Sequence, residues 1–129
     1  ANNLTPWNLV AGSSEAYGTE VLLLAANDIS NADFTFTPVK FDMHRIFVEA
    51  SSINDQTFII QLWGGTGIFS AATYLTEVPY RAAGSATESV PIDIQMSRQA
   101  VANKIWARVK CQSNGQDLDI TVGVHAYVG

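Results

Sequence analysis

The sequence predicts one all-β domain, an antiparallel β-sandwich of jelly-roll-like form with about eight strands, spanning residues 20–129 behind an N-terminal arm of residues 1–19. Three observations carry this expectation. Long runs alternate apolar and polar residues at period two, as a strand with one buried face must. Clusters of Gly, Asn, Asp, Ser and Pro separate those runs, and no helical period survives beyond a few residues. A chain of 129 residues buries roughly two-thirds of its unfolded surface in a single core. Neither an internal repeat nor an inter-domain linker is visible.

The arm mixes Asn, Ser, Gly and Pro without a sustained period, yet Trp7 beside Leu4, Leu9 and Val10 is a poor composition for a solvated tail. It is expected to lie along its own body or a neighbour's, and its deletion through Tyr17 to leave the sandwich folded. From Glu20 to Ala26 the run Val21-Leu22-Leu23-Leu24 reads as a short strand buried on both faces. Asn27 to Asn31 is a turn cluster. Asp33 to Thr37 alternates Phe34 and Phe36 with threonine until Pro38 ends the strand or confines it to an edge.

Arg45 to Ser51 places Ile46, Val48 and Ala50 inward and Arg45, Phe47 and Glu49 outward. After a loop, Thr57 to Trp63 returns with Phe58, Ile60 and Leu62 on one side and Ile59, Gln61 and Trp63 on the other, which reads as a hairpin with one core face and one face suited to an interface. Gly64-Gly65-Thr66-Gly67 interrupts the pattern. Tyr74 to Arg81 reads as an edge strand because of Pro79, and Glu88 to Met96 as a strand carrying Val90, Ile92, Ile94 and Met96. Ser97 to Ala102 reads as one helical turn.

The last two runs alternate most cleanly. Ile105, Ala107, Val109 and Cys111 share one face of Lys104–Gln112, and Leu118, Ile120, Val122, Val124, Ala126 and Val128 share one face of Leu118–Val128. Asn114-Gly115 between them is a strong hairpin signal, since a type I′ turn needs positive φ at both central residues. A hairpin centred there pairs Val109 with Ile120 and Trp106 with Gly123, and sets Lys110 opposite Asp119.

Composition narrows the chemistry. The net charge of −5, with 7 basic residues in all, does not suit phosphate neutralisation on a nucleic acid. No apolar run approaches the length of a membrane-spanning helix. Ala1-Asn2-Asn3 lacks the features of a signal peptide and resembles a start from which the initiator Met was removed. Cys111, the single cysteine, falls on an apolar register and reads as a buried thiol. The Gly64 run lacks the Walker lysine and a following helix, so it reads as a strand-end loop. His44 and His125 are far apart in sequence with no ligand-spaced neighbour, and Asp117 and Asp119 read as solvated polarity beside a turn. The expectation is therefore no enzyme activity, no cofactor and no metal, with a melting temperature indifferent to Ca²⁺, Zn²⁺ or EDTA.

The aromatic residues form the candidate interface: Trp7 of the arm, with Phe47, Trp63, Trp106 and Tyr127 on outward registers. Such rings serve as stacking platforms for sugars or are buried at a subunit boundary; they also pack under an arm that covers a sheet edge.

Lys104-Ile105-Trp106-Ala107-Arg108-Val109-Lys110, a Ser-Asn-Gly turn and Leu118-Asp119-Ile120-Thr121-Val122-Gly123-Val124-His125-Ala126-Tyr127 resemble the closing strands of small tailed-phage virion proteins. In those, an (I/R)-x-A-(R/K)-(V/L) strand leads through a glycine-rich turn to D-(I/V)-x-V-x-(V/I)-H-x-Y. His44-Arg45-Ile46-Phe47-Val48 and Phe58-Ile59-Ile60-Gln61-Leu62-Trp63-Gly64 are similar to their H-x-I-x-(V/I) and (F/Y)-x-(I/L)-Q-(L/I)-(W/Y)-G strands, so the likeness runs over about two-thirds of the chain. The resemblance implies a capsid decoration, or cement, protein. Such a protein is a non-catalytic β-sandwich, made in a host cytoplasm, that trimerises on the outer surface of the virion and clamps major capsid protein subunits. The alternative is a carbohydrate- or receptor-binding β-sandwich of a phage tail or fibre.

Overall fold

The period-two runs become strands in the computed structural model, which describes residues 6–29, 35–82 and 90–128. In chain order these are β1 (Trp7–Val10), β2 (Val21–Leu24), β3 (Lys40–Ser51), β4 (Gln56–Gly65), β5 (Thr73–Ala82), β6 (Val90–Asp93), β7 (Gln99–Ala100), β8 (Lys104–Cys111) and β9 (Asp117–Tyr127). One sheet has the order β1-β9-β3-β6, with β7 also pairing with β3, and the other has the order β2-β8-β4-β5. All pairings are antiparallel. The eight longer strands are thus wound as a jelly roll, in which most consecutive strands lie in opposite sheets. Between the sheets sit Leu9, Phe41, Met43, Ile46, Phe58, Ile60, Leu62, Ile105, Leu118 and Ile120, all essentially inaccessible.

The faces of the last two strands are as expected except at Val128, which lies past the end of β9 and is 70% exposed, but their partners are not. Ile105, Ala107, Val109 and Cys111 are buried, as are Leu118 and Ile120. Yet β8 pairs with β4, setting Val109 opposite Ile60 and Trp106 opposite Trp63. β9 pairs instead with β3, setting Ile120 opposite Val48 and Gly123 opposite Arg45. The hairpin reading of Arg45–Ser51 with Thr57–Trp63 fails in the same way, because β3 and β4 belong to different sheets. Alternation records which face a strand buries; it is identical whether that face meets apolar residues beside it or across a gap of about 10 Å. The Asn114-Gly115 link therefore bridges the sheets. Gly115 alone of the pair has positive φ (69°), and its N–H donates to the Gly12 carbonyl at 3.0 Å. Asp119 takes its hydrogen bond from Asn8 Nδ2 at 2.8 Å, while Lys110 lies opposite Ile59.

The described part of the arm, residues 6–19, lies along its own body. β1 pairs with β9, Leu9 is fully buried and Ala11 nearly so, and Trp7 packs against the core rim. The chain then crosses to the other sheet, where the Glu15 and Gly18 N–H groups donate to the Cys111 and Val109 carbonyls at 2.8 and 3.0 Å. Deleting residues through Tyr17 would take Leu9 and Ala11 out of the core, so this segment is part of the fold rather than an addition to it.

Three smaller differences have local causes. Leu22 is 43% exposed, because a bulge between Leu22 and Leu24 turns the adjacent Leu23 and Leu24 both inward. Gln99–Ala100 pairs with Phe41 and Lys40 as a short strand where a helical turn was expected. Thr35–Thr37 is not a strand, and the remainder of the Asp33–Thr37 run lies outside the described residues. Pro79 and Pro91 occupy the edge strands β5 and β6, where a missing N–H costs no ladder bond.

The crossing at Gly18 is tight: a Cβ there would lie 1.7 Å from the Val10 carbonyl oxygen, whereas one at Gly67 would meet nothing within 4 Å. Gly18→Ala is expected to cost more than about 2 kcal/mol and Gly67→Ala to stay within about 0.5 kcal/mol of wild type. Chemical denaturation of the two variants checks the contrast.

Candidate functional site

Pairing of β4 with both β8 and β5 brings aromatic side chains together on the outer face of the β2-β8-β4-β5 sheet. Trp63 on β4 is the register partner of Trp106 on β8 and of Tyr74 on β5. A single 3₁₀ turn, Phe69–Ala71, adds a further ring. Phe69 stands edge-on to Trp63 and to Trp106, with centroids 5.5 and 5.9 Å away, and Tyr74 meets Trp63 at 5.7 Å and 83°. Only 7% of Trp106 remains exposed, against 46% of Tyr74 and 71% of Ile68 at the entrance to the turn.

A cation is set into this cluster. The Arg108 guanidinium carbon lies 4.6, 5.1 and 5.5 Å from the ring centroids of Tyr17, Trp63 and Phe69. Gln61 connects the polar edges: its Oε1 accepts from Trp63 Nε1 at 3.0 Å and Arg108 Nε at 2.9 Å, and its Nε2 donates to Glu77 at 3.1 Å. Burial, followed by the charge of Glu77, raises the Tyr17 phenol above its usual range, so it stays neutral.

The five aromatic residues singled out in sequence do not form one patch. Trp63 and Trp106 belong to this cluster, and Trp7 turns toward the core rim. Phe47 and Tyr127 lie on the outer face of the opposite sheet. Phe47 is flanked there by Pro91 and Thr121, while Tyr127 donates to Asp42 Oδ2 at 2.9 Å beneath Arg98, whose guanidinium carbon is 3.6 Å from the ring centre.

That second face also holds a grouping that sequence reasoning missed. His44 and His125 stack with centroids 3.8 Å apart and planes 10° from parallel. Asp42 is the register partner of His125, so an acid and two imidazoles converge from β3 and β9. The outward register of His125 was visible in the sequence; those of Asp42 and His44 were not, because both precede the expected strand and share the parity of the inward Ile46 until the register shifts between Met43 and Arg45, and neither was the pairing of β3 with β9 that joins the three. Desolvation, then the proximity of His125 and Arg45, pushes the His44 imidazole below its usual pKa against a weaker opposing pull from Asp42 and Asp93. Cys111 is buried as expected, with its Sγ 3.3 Å from Gln56 Oε1. Gly64 and Gly65 end β4, as the strand-end reading of that run requires.

Replacing Gln61 by leucine leaves the Trp63 and Arg108 donors without their acceptor, and should destabilise the fold by about 1–3 kcal/mol in a denaturant titration. The lowered His44 pKa gives a second expectation. Above the ordinary value of 6.5 the ring is neutral in both folded and unfolded chains; as pH falls below it the unfolded chain takes up the proton first, so stability declines until the folded-state pKa is passed. Melting temperatures measured across pH 7 to 5 should fall, and His44→Gln should flatten part of the slope.

A scan against models of protein families, and searches of curated proteins and of solved structures, found no match for this chain.

Proposed function

We propose that this chain is a non-catalytic capsid decoration protein that binds the outer surface of a phage head as a homotrimer and stabilises contacts between major capsid protein subunits. The observation that carries this reading is the face around Trp63, where an exposed Ile68 and a half-exposed Tyr74 border a cluster already held rigid by Arg108 and Gln61. Aromatic and aliphatic groups beside a half-buried arginine are what interface hot spots are made of. The jelly-roll winding is shared by viral capsid domains and by lectins, so it supports the reading at the level of fold only. The sequence resemblance to tailed-phage virion proteins points the same way.

A sugar-binding role is the second reading, favoured by the exposure of Tyr74 beside Trp63. Stacking on a pyranose calls for a ring whose flat face is open. Here the rings stand at 64° to 83° to one another and Trp106 is covered, which suits an interlocking protein contact better.

A stable contact takes about 800 Å² from each partner, and the proposal commits the Trp63 face to it. Light scattering on the eluted protein should give a trimer, and the protein should co-sediment with assembled heads with little dependence on salt, because apolar burial dominates charge. Ile68→Asp leaves the core untouched and should abolish trimer formation or head binding. A monomer that sediments with an insoluble polysaccharide would replace this proposal with the sugar-binding one.

A further inference from the structure

On the outer face of the opposite sheet, Asp42, His44 and His125 each offer a ligand atom, and these atoms lie within 4.8 Å of one another. We propose that they bind a divalent transition ion of the zinc, cobalt or nickel type through two imidazoles and one carboxylate. This is independent of the capsid reading. It runs against the expectation, drawn from sequence, of a chain indifferent to metal ions and chelators.

The donor set is the first argument. Imidazole and carboxylate together suit borderline first-row ions better than calcium or magnesium, which prefer oxygen alone. Three protein ligands leave further positions for water or an incoming group.

Local construction is the second argument. The β3–β9 register shifts between Met43 and Arg45, so His44 sits in the irregularity, and such a bulge re-aims a side chain. Its ring lies over Gly123, where an added Cβ would come within 3.1 Å of His44 Cε1. A glycine and a bulge together thus make room for His44 against His125. The placement leaves His44 Nδ1 buried without a hydrogen-bond partner, which in a folded protein calls for an explanation. A buried imidazole nitrogen without a partner, in a cluster of ligand atoms, is accounted for when the cluster binds an ion.

The surroundings fit an ion as well. Tyr127 donates to one oxygen of Asp42 and so orients the carboxylate while leaving the other oxygen available, as groups behind metal ligands commonly do. Of the nearby cations, Arg45 bonds Asp93 at 3.0 Å and Arg98 lies over the Tyr127 ring. A cavity of about 340 Å³, walled by Ile94, Gln95 and Met96, opens beside the three ligands. Bonds of about 2.0–2.1 Å in a tetrahedron set ligand atoms about 3.4 Å apart, and each imidazole holds an ion in its own ring plane, so closure takes the exposed His125 ring out of its stack on His44.

The full chain, stripped with EDTA and dialysed, is titrated with Zn²⁺ by calorimetry and with Co²⁺ by visible absorption near neutral pH. One ion per chain is expected, with Zn²⁺ raising the melting temperature and binding weakening as acid protonates the imidazoles. His125→Ala, a surface change whose fold is checked by circular dichroism, should weaken binding at least tenfold. Tyr127→Phe, which keeps all three ligands, should weaken it by about tenfold or more. Absence of saturable binding by the wild-type chain would overturn the proposal, and so would binding undiminished in the His44→Gln, His125→Ala double variant.

Discussion

The long antiparallel pairing of β3 with β9 is the constraint on which the rest of the structure depends. It runs from Lys40 opposite Tyr127 to Ser51 opposite Leu118 and joins the first half of the chain to its end. β1 adds to one side of it and β6 and β7 to the other, so the whole of that sheet is assembled on this one ladder. Its inward side supplies Phe41, Met43, Ile46, Val48, Leu118 and Ile120 to the core. Its outward side brings Asp42, His44, His125 and Tyr127 into a single neighbourhood.

The second sheet answers the first across the core and uses its outer face differently. Trp63, Phe69, Tyr74 and Trp106 cover one another there, while Gln61 and Arg108 satisfy the polar atoms that such crowding would otherwise strand. A buried glutamine with three partners holds the rings in one arrangement, which a loosely packed apolar surface would not do. The two faces of the sandwich therefore carry different chemistry: crossed rings around an arginine on one, imidazoles and a carboxylate on the other. A jelly roll permits this division because the core isolates its outer faces from each other.

The core faces of the long strands β3, β4, β8 and β9 could be read from alternation, since a side chain at period two either meets the core or does not. Ile105, Val109, Ile46 and Phe58 were legible for that reason, and Pro79 announced an edge strand through its missing donor. Leu22 was misread because a bulge changes the period locally and leaves no mark in composition. The arm was misread in part for a related reason: Leu9 and Ala11 enter the core from a segment too short and too broken by glycine to show a period.

Strand identity and inward face in the long runs of β3, β4, β8 and β9, the buried thiol and the absence of a helix longer than a turn among the described residues were determined by the order of residues alone, because each follows from local sterics and the burial of one face. Partnership was decided only by the tertiary structure. Nothing in Lys104–Cys111 or Asp117–Tyr127 states whether the two strands lie side by side or in opposite sheets, as the same apolar faces are buried either way. Winding the chain as a jelly roll chose the second arrangement. That choice moved Trp106 next to Trp63 and set His44 against His125, since contacts on an outer face depend on which strands are neighbours and on their register.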